Sequence, residues 1–300
     1  MWRKKEQQMV ERPRIGVALS GGAARGIAHL GVLKVLEEQN VPIDFIAGTS
    51  AGALVGGAVA AGIPLAELEE WGRSLRWRDI GRMTLSRLGV QSNARLEELI
   101  RARFPVTRFE DLRIPFAAVA TDLHTGKAVV MSNEGDVAFA IRASCALPGW
   151  YVPVVDEQGR QLVDGGLAAN VPSAAARSLG ADIVIAVDVN AEGARFLGPP
   201  QSAIGVLFQS IMVVQRTAAA HQWQDADLVI RPRVGHIRWD EIGRADELIK
   251  AGEEATRITI DRIKHLLFPT AEGPPPRWFE LRRRGAQPPA HNPRKMSPLR

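Results

Sequence analysis

Three short stretches of this 300-residue chain hold residue types, at spacings, that could do covalent chemistry. In the first, the apolar run Phe45-Ile46-Ala47 ends in Gly48-Thr49-Ser50-Ala51-Gly52 and continues into small residues, the pattern of a strand, a sharp elbow and a helix. Such an elbow projects a serine oxygen clear of the backbone, and its flanking glycines let two chain segments approach where any Cβ would collide. Ser50 is therefore the candidate nucleophile. The second stretch, Ser20-Gly21-Gly22-Ala23-Ala24-Arg25-Gly26, is a glycine-rich turn between a strand pattern and a helical one. Backbone N–H groups at Gly21, Gly22 and Ala23, set at a helix N-terminus, would make a concave site for an oxyanion. In the third, Asp164-Gly165-Gly166 places an acid at a strand end, where the glycines permit an abrupt turn. Nucleophile, proton acceptor and oxyanion donors are the three requirements of acyl transfer.

The same residues admit other readings. The glycine turn could hold a phosphate with Asp44 as a ribose ligand, but a dinucleotide fingerprint needs glycine where Ala23 stands, and no Gly-Lys-Ser/Thr of a P-loop follows. Asp164 could simply form a turn. A conventional triad would need histidine. His29 and His124 suit structural or exposed positions, and His221, His236 and His265 follow Asp164 as a Ser-Asp-His order requires, but none has so direct a setting. The lone Cys145 can form no internal disulfide, which favours a reducing compartment, and it reads as a small buried apolar residue.

The elements that must position these residues follow from hydrophobic period. Arg14–Leu19 reads as a buried strand, after which Ile27, Leu30, Leu33 and Leu36 recur at helical spacing; Ile43–Ala47 and Ser50–Ala61 repeat the unit. Two consecutive β-α units imply a mainly parallel sheet, with both turns at the same carboxyl edge. Residues 65–104 look helical and more polar, with Asn93 as a helix N-cap, and could form a cap over the site. Strands are expected over 115–120 and 127–131 around a turn at His124-Thr125-Gly126, and a short helix over 137–144. A hairpin-like pair, 150–155 and 161–163, then leads directly into Asp164. A helix over 172–179, a strand over 183–187, and long helices over 204–221 and 244–267 flanking a strand at 228–230 complete the pattern. The small-residue face Gly52-x-x-x-Gly56 reads as close helix-to-sheet packing.

Composition, 46 % hydrophobic and 24 % charged, suits one large core and neither disorder nor a fibrous class. The net charge of +5 resides in residues 270–300, so the rest of the chain is neutral and no nucleic-acid partner is expected. That Pro-rich basic tail reads as a disordered extension, a candidate for contact with an anionic surface or a solubility segment. The opening Met1–Gln8 is charged with no apolar run behind it, so it is no secretory signal, and a cytoplasmic location is expected. Residues 45–66 carry no charge, but their glycines and Pro64 fit a buried helix better than a membrane span.

The three motifs, in this order and at these intervals, with Arg142-Ala143-Ser144-Cys145-Ala146-Leu147-Pro148-Gly149 before the Asp strand, resemble the patatin-like phospholipase family over roughly residues 14–265. The resemblance implies a three-layer α/β/α fold with a mainly parallel central sheet. It implies a Ser-Asp dyad without histidine, in which Ser50 attacks an ester carbonyl, Asp164 accepts its proton and the turn at Gly21, Gly22 and Ala23 stabilises the oxyanion. Arg25 and Gly26 would brace that turn, Gly48 and Gly52 the elbow, and Gly165 and Gly166 the acid. Substrates would be acyl esters of lipids, met at a membrane periphery, with neither cofactor nor metal. The family's turn often has a third glycine where this chain has Ala23, whose N–H remains a donor if φ is negative there. The expected organisation is an N-terminal extension over 1–13, a hydrolase domain over 14–268 with 65–112 as a helical cap, and the tail over 269–300. A non-catalytic regulatory or partner-binding module on the same fold, or a nucleotide-binding α/β protein, are the competing readings.

Overall fold

A computed structural model describes residues 12–192 and 203–267; the N-terminal extension up to residue 11 and the basic tail lie outside the described residues. The first two units form as the periodicity requires. Strand β1 (Ile15–Leu19) turns through a 3-10 segment, Ala23–Ile27, into α1 (Ala28–Glu38), and β2 (Phe45–Thr49) into α2 (Ala51–Ala60). Each strand is a short run of apolar residues buried on both faces, as a parallel sheet demands.

The polar segment that follows is only partly helical. It holds α3 (Leu65–Ser74), α4 (Trp77–Ile80), an antiparallel pair β3 (Arg82–Met83) and β4 (Gly89–Ser92), and α5 (Ala94–Arg103). The hairpin corrects the all-helical expectation, and β-branched Thr84 and Val90 beside Gly89 supply the local reason. Asn93 does precede α5, but its buried side chain donates to the Arg142 carbonyl at 2.8 Å and does not cap the helix.

Next come β5 (Phe116–Asp122) and β6 (Ala128–Ser132), an antiparallel pair, and α6 (Val137–Ser144), capped by Asp136 Oδ1 accepting from the Phe139 N–H at 2.9 Å. β7 (Gly149–Tyr151), β8 (Val154–Val155) and β9 (Gln161–Asp164) follow. β8 and β9 pair as expected, but β7 leaves them and pairs with β4, so the run 150–155 is divided between two sheets. The described residues close with α7 (Gly166–Ala169), α8 (Ser173–Ser178), β10 (Ile183–Val187), α9 (Ala203–Gln222), β11 (Leu228–Ile230) and α10 (Ala245–Leu267).

The main sheet runs β11-β10-β1-β2-β5 in parallel, and β5 carries antiparallel partners. Strand period decides what each face buries. Ile15, Val17 and Leu19 point into a large core shared with α1, α2, α6 and α10, whereas Ala18, Ala47, Ala117 and Ala186 meet Ala175 and Ala176 of α8 on the other face. Helices thus cover both faces and the fold is a three-layer α/β/α structure. Small residues on the α8 face bring that helix close. The Gly56 face of α2 does the same against Ile46 and Leu19, in line with the packing reading of that motif.

Candidate active site

Register along β5 brings the candidate residues together. β6 occupies one edge of β5 over residues 117–121, so β2, paired with 116–119, and β9, paired with 120–122, must share the opposite edge. β2 runs parallel and β9 antiparallel, so their carboxyl ends converge: Thr49 sits opposite Val119 and Asp164 opposite Ala120. Residues distant in sequence meet because two strand ends point at each other along one edge.

Ser50 follows Thr49 at φ 53°, ψ −122°, a left-handed conformation that a non-glycine residue holds only under constraint. The constraint is visible. The Ser50 N–H donates to Ser144 Oγ at 2.8 Å, and that hydroxyl donates onward to the Val119 carbonyl at 2.6 Å. The Ser50 carbonyl accepts from the Ala53 and Leu54 N–H groups, which starts α2. Gly48 and Gly52 are required by approach: a Cβ on Gly48 would lie 2.5 Å from Ala53 Cα, and one on Gly52 2.6 Å from the Ser20 oxygen. Gly165 packs in the same way beneath Val119 and Thr49.

The Asp164 side chain is buried, accepts from the Gly166 N–H at 2.8 Å, and lines the same cavity as Ser50, whose hydroxyl favours its charged form. Its backbone is held at both ends, N–H to the Ala146 carbonyl at 2.8 Å and carbonyl to Thr121 Oγ1 at 3.0 Å. Burial raises the carboxyl pKa to about 6, against the Ser50 hydroxyl and the Gly166 N–H, which favour the charged form. With that pKa the group is a carboxylate at neutral pH, on the same cavity wall as the Ser50 hydroxyl. Cys145 departs from the bland expectation by lining the cavity beside Ser50. Burial pushes its thiol pKa up, so the thiolate is not available and Ser50 is the stronger candidate for attack.

The glycine turn adjoins the elbow, with Gly26 against Ala51. Two expectations for it need correction. The Gly21 N–H is spent on the Asn170 carbonyl at 3.0 Å, which leaves Gly22 and Ala23, whose N–H groups meet no acceptor among the described residues. Ala23 has φ 49°, not a negative value, because the turn must reverse tightly into the 3-10 segment. Ala23 nevertheless lines the cavity with Ser50 and Asp164. Arg25 is buried beneath the turn. Its Nε donates to the Ile237 carbonyl at 2.7 Å and its Nη1 to Asn190 Oδ1 at 3.3 Å, and Asn190 Nδ2 in turn donates to the Gly21 carbonyl at 2.8 Å.

Histidine is not part of this set among the described residues. His29 Nε2 donates to the Ser20 carbonyl at 2.9 Å, and burial lowers its pKa to about 4, which keeps the ring neutral and structural. His236 pairs with Glu247 on the surface, and His124 lies in the exposed turn. Asp44 sits at the opposite, amino end of β2, where it binds Arg12 and the Ile15 N–H, so it cannot serve as a ribose ligand beside the turn.

The site opens into a cavity of ≈170 Å³. Its walls are largely apolar, with Leu54, Leu68, Trp71, Leu99, Leu147 and Trp150 prominent. Residues 65–112 supply one wall through α3, α4 and α5. Sequence reasoning missed three polar residues here. Ser144 anchors the elbow, Asn190 ties Arg25 to the turn, and the buried Asn170 lines the cavity with its Nδ2 unpartnered. A serine inside the block before the Asp strand, and an asparagine six residues after Asp164, were the only local signals.

A half-buried serine elbow and a buried acid brought to one cavity by two strand ends that converge along β5, beside unspent backbone N–H groups, form a hydrolase-type α/β site. The family model described as patatin-like phospholipase matches residues 17–177, so this chain belongs to the patatin-like phospholipase family. An uncharacterized NTE family protein of Mycobacterium tuberculosis is 41 % identical over 194 residues, 64 % of this chain and 52 % of the relative. Human patatin-like phospholipase domain-containing protein 6 is 35 % identical over 185 residues, 59 % of this chain and 13 % of the relative. The chain thus spans about half the length of the mycobacterial relatives and much less of the human one. Among solved structures, VipD from Legionella pneumophila has the same fold, with a TM-score of 0.53 at 15 % identity over 84 % of this chain and 67 % of that one. Among the described residues no helix is long and apolar enough to cross a membrane.

Proposed function

We propose that this chain is a serine acyl hydrolase that cleaves carboxylic esters of lipids through Ser50 and Asp164 alone. The observation that carries the reading is the convergence of the Ser50 elbow after β2 and the buried Asp164 at the end of β9 along one edge of β5, both on the wall of one apolar cavity. Asp164 takes the Ser50 proton as Oγ adds to the ester carbonyl. The oxyanion that forms meets the N–H groups of Gly22 and Ala23 at the amino end of the 3-10 segment and α1, where the backbone dipole favours negative charge. Collapse of the tetrahedral species breaks the ester C–O bond, and the proton on Asp164 passes to the leaving alcohol. Water then attacks the acyl-serine, Asp164 again takes the proton, and Ser50 is restored with release of a fatty acid.

A carboxylate whose proton affinity is raised by burial is a better base than an exposed one, which is how the pair works without imidazole. The apolar lining selects an acyl chain over a charged peptide or sugar, since a buried charge would lie there unpaired. The hydrolase unit is proposed to span residues 14–268, with 65–112 as the wall that covers the acyl chain. A panel of p-nitrophenyl and phospholipid esters, run on wild type and Ser50→Ala together with fluorophosphonate labelling, tests the reading. Label on Ser50 and loss of turnover in the variant are expected. Equal turnover in both proteins, or no label on folded wild type, would return the chain to a non-catalytic module.

A further inference from the structure

Apolar side chains are normally turned away from water, yet a group of them here is turned outward on the elements that wall the cavity. The β3–β4 hairpin carries Met83 at 69 %, Leu85 at full and Leu88 at 58 % exposure. β4 pairs with β7, whose Trp150 and Tyr151 line the cavity. Helix α9 repeats the pattern. Its Ile211 and Met212 line the cavity, while Val206, Leu207, Val213 and Val214 stand outward, the last two at 60 % and 58 %. These outward positions follow helical spacing and share a face with Ser210 and Thr217, so that face is uncharged and exposed at these positions. An aliphatic face left exposed beside a cavity-lining one calls for an apolar partner. The two elements are joined, because Leu207 Cδ2 lies 3.3 Å from the Cβ position of Gly149 in β7.

Charge narrows the choice of medium. Residues 81–96 contain Arg82, Arg87 and Arg95 and no acid, and α9 contains no acid either. Arg82 and Arg87 are exposed and make no ion pair with a carboxylate among the described residues. Outward aliphatic side chains beside unpaired guanidinium groups match a bilayer whose headgroups are anionic, with Leu85 and Leu88 in the acyl boundary and the arginines at the phosphates.

We propose that the β3–β4 hairpin and the outer face of α9 form one docking surface for an anionic phospholipid bilayer, which sets the cavity against its lipid substrate. This deepens the lipid-hydrolase reading and rests on it for the identity of the substrate, though not for the contact itself. In the docked state a phospholipid would pass from the bilayer into the apolar cavity without crossing water.

Flotation of full-length Ser50→Ala protein with vesicles of phosphatidylglycerol and phosphatidylcholine, in parallel with vesicles of phosphatidylcholine alone, reads the contact without turnover. Binding to the mixed vesicles is expected. The pairs Leu85→Asp/Leu88→Asp and Val213→Asp/Val214→Asp should each lower it at least about tenfold. Arg82→Gln and Arg87→Gln should each lower it about fivefold, on the anionic vesicles only. In the Ser50-containing protein the same changes should leave hydrolysis of soluble p-nitrophenyl butyrate unchanged and slow hydrolysis of vesicle lipid. Vesicle binding equal to wild type in both aspartate pairs would overturn the proposal and assign any binding to other parts of the chain. So would a wild-type dimer in light scattering that Val213→Asp/Val214→Asp dissociates, since α9 would then cover a second copy. Ser50-dependent butyrate hydrolysis without vesicle binding removes the docking surface and leaves the hydrolase. Vesicle binding that needs these residues, in a protein inert to every ester, does the reverse.

Discussion

At the scale of single residues, the proposed pairing of Ser50 with Asp164 sets the expected kinetics. Ser50→Ala should reduce kcat at least about 10⁴-fold in the ester assay, and Asp164→Asn by on the order of 10⁴-fold, since neither leaves a base beside a nucleophile. Asp164 must be ionised to act. With its pKa near 6, kcat/KM should rise through pH about 6 and then level off, measured on a soluble ester. The same shift has a stability cost of opposite sense. Because the folded carboxyl holds its proton more tightly than an unfolded one, its contribution to stability is present at pH 4 and lost as pH rises past about 6. Asp164→Asn should therefore be more resistant to urea than wild type at pH 7.5, by up to roughly 3 kcal/mol, and gain nothing at pH 4. Ala23 offers a smaller test. Its positive φ suits glycine, and Ala23→Gly should raise stability by about 0.5–1 kcal/mol in urea denaturation.

Elements come into play where the elbow is held. β2 delivers Ser50, but the Ser144 hydroxyl at the end of α6 fixes its backbone to Val119 of β5. Loss of that hydroxyl leaves a buried N–H and carbonyl without partners. Ser144→Ala should cost about 1–3 kcal/mol in denaturation and lower kcat about 10- to 100-fold with little change in KM, because the nucleophile is displaced while the cavity is intact. A purely structural serine would show the first effect and not the second.

Across the whole molecule, the last helix is packed on the first. α10 lies along α1, where Gly31 sits against the backbone of Ile249 and Glu253, and Gly252 against that of Ala28. A Cβ at Gly31 would come 2.8 Å from the Glu253 nitrogen, so the helices would have to separate. Gly31→Ala should destabilise the fold by about 1–3 kcal/mol in urea while specific activity of the folded fraction persists, since this seam contributes nothing to the cavity wall.

Much of this was legible in the chain itself because it is written in local pattern. Strands β10 and β11 and helix α6 occur where their apolar runs and caps end, and the elbow announces itself through two glycines around a serine. The hairpin at 82–92 was not legible, because its strands are short and β4 finds its second partner in β7, about sixty residues away. By itself the sequence determined the β-α units, the candidate serine and the acid at a strand end. Only the tertiary structure decided that β2 and β9 share one edge of β5 and so meet end to end, that the Gly21 N–H is consumed by Asn170, and that Ser144 holds the elbow. The physical reason is that periodicity reports which face of an element is buried, whereas register between strands far apart in sequence is settled only when the sheet assembles.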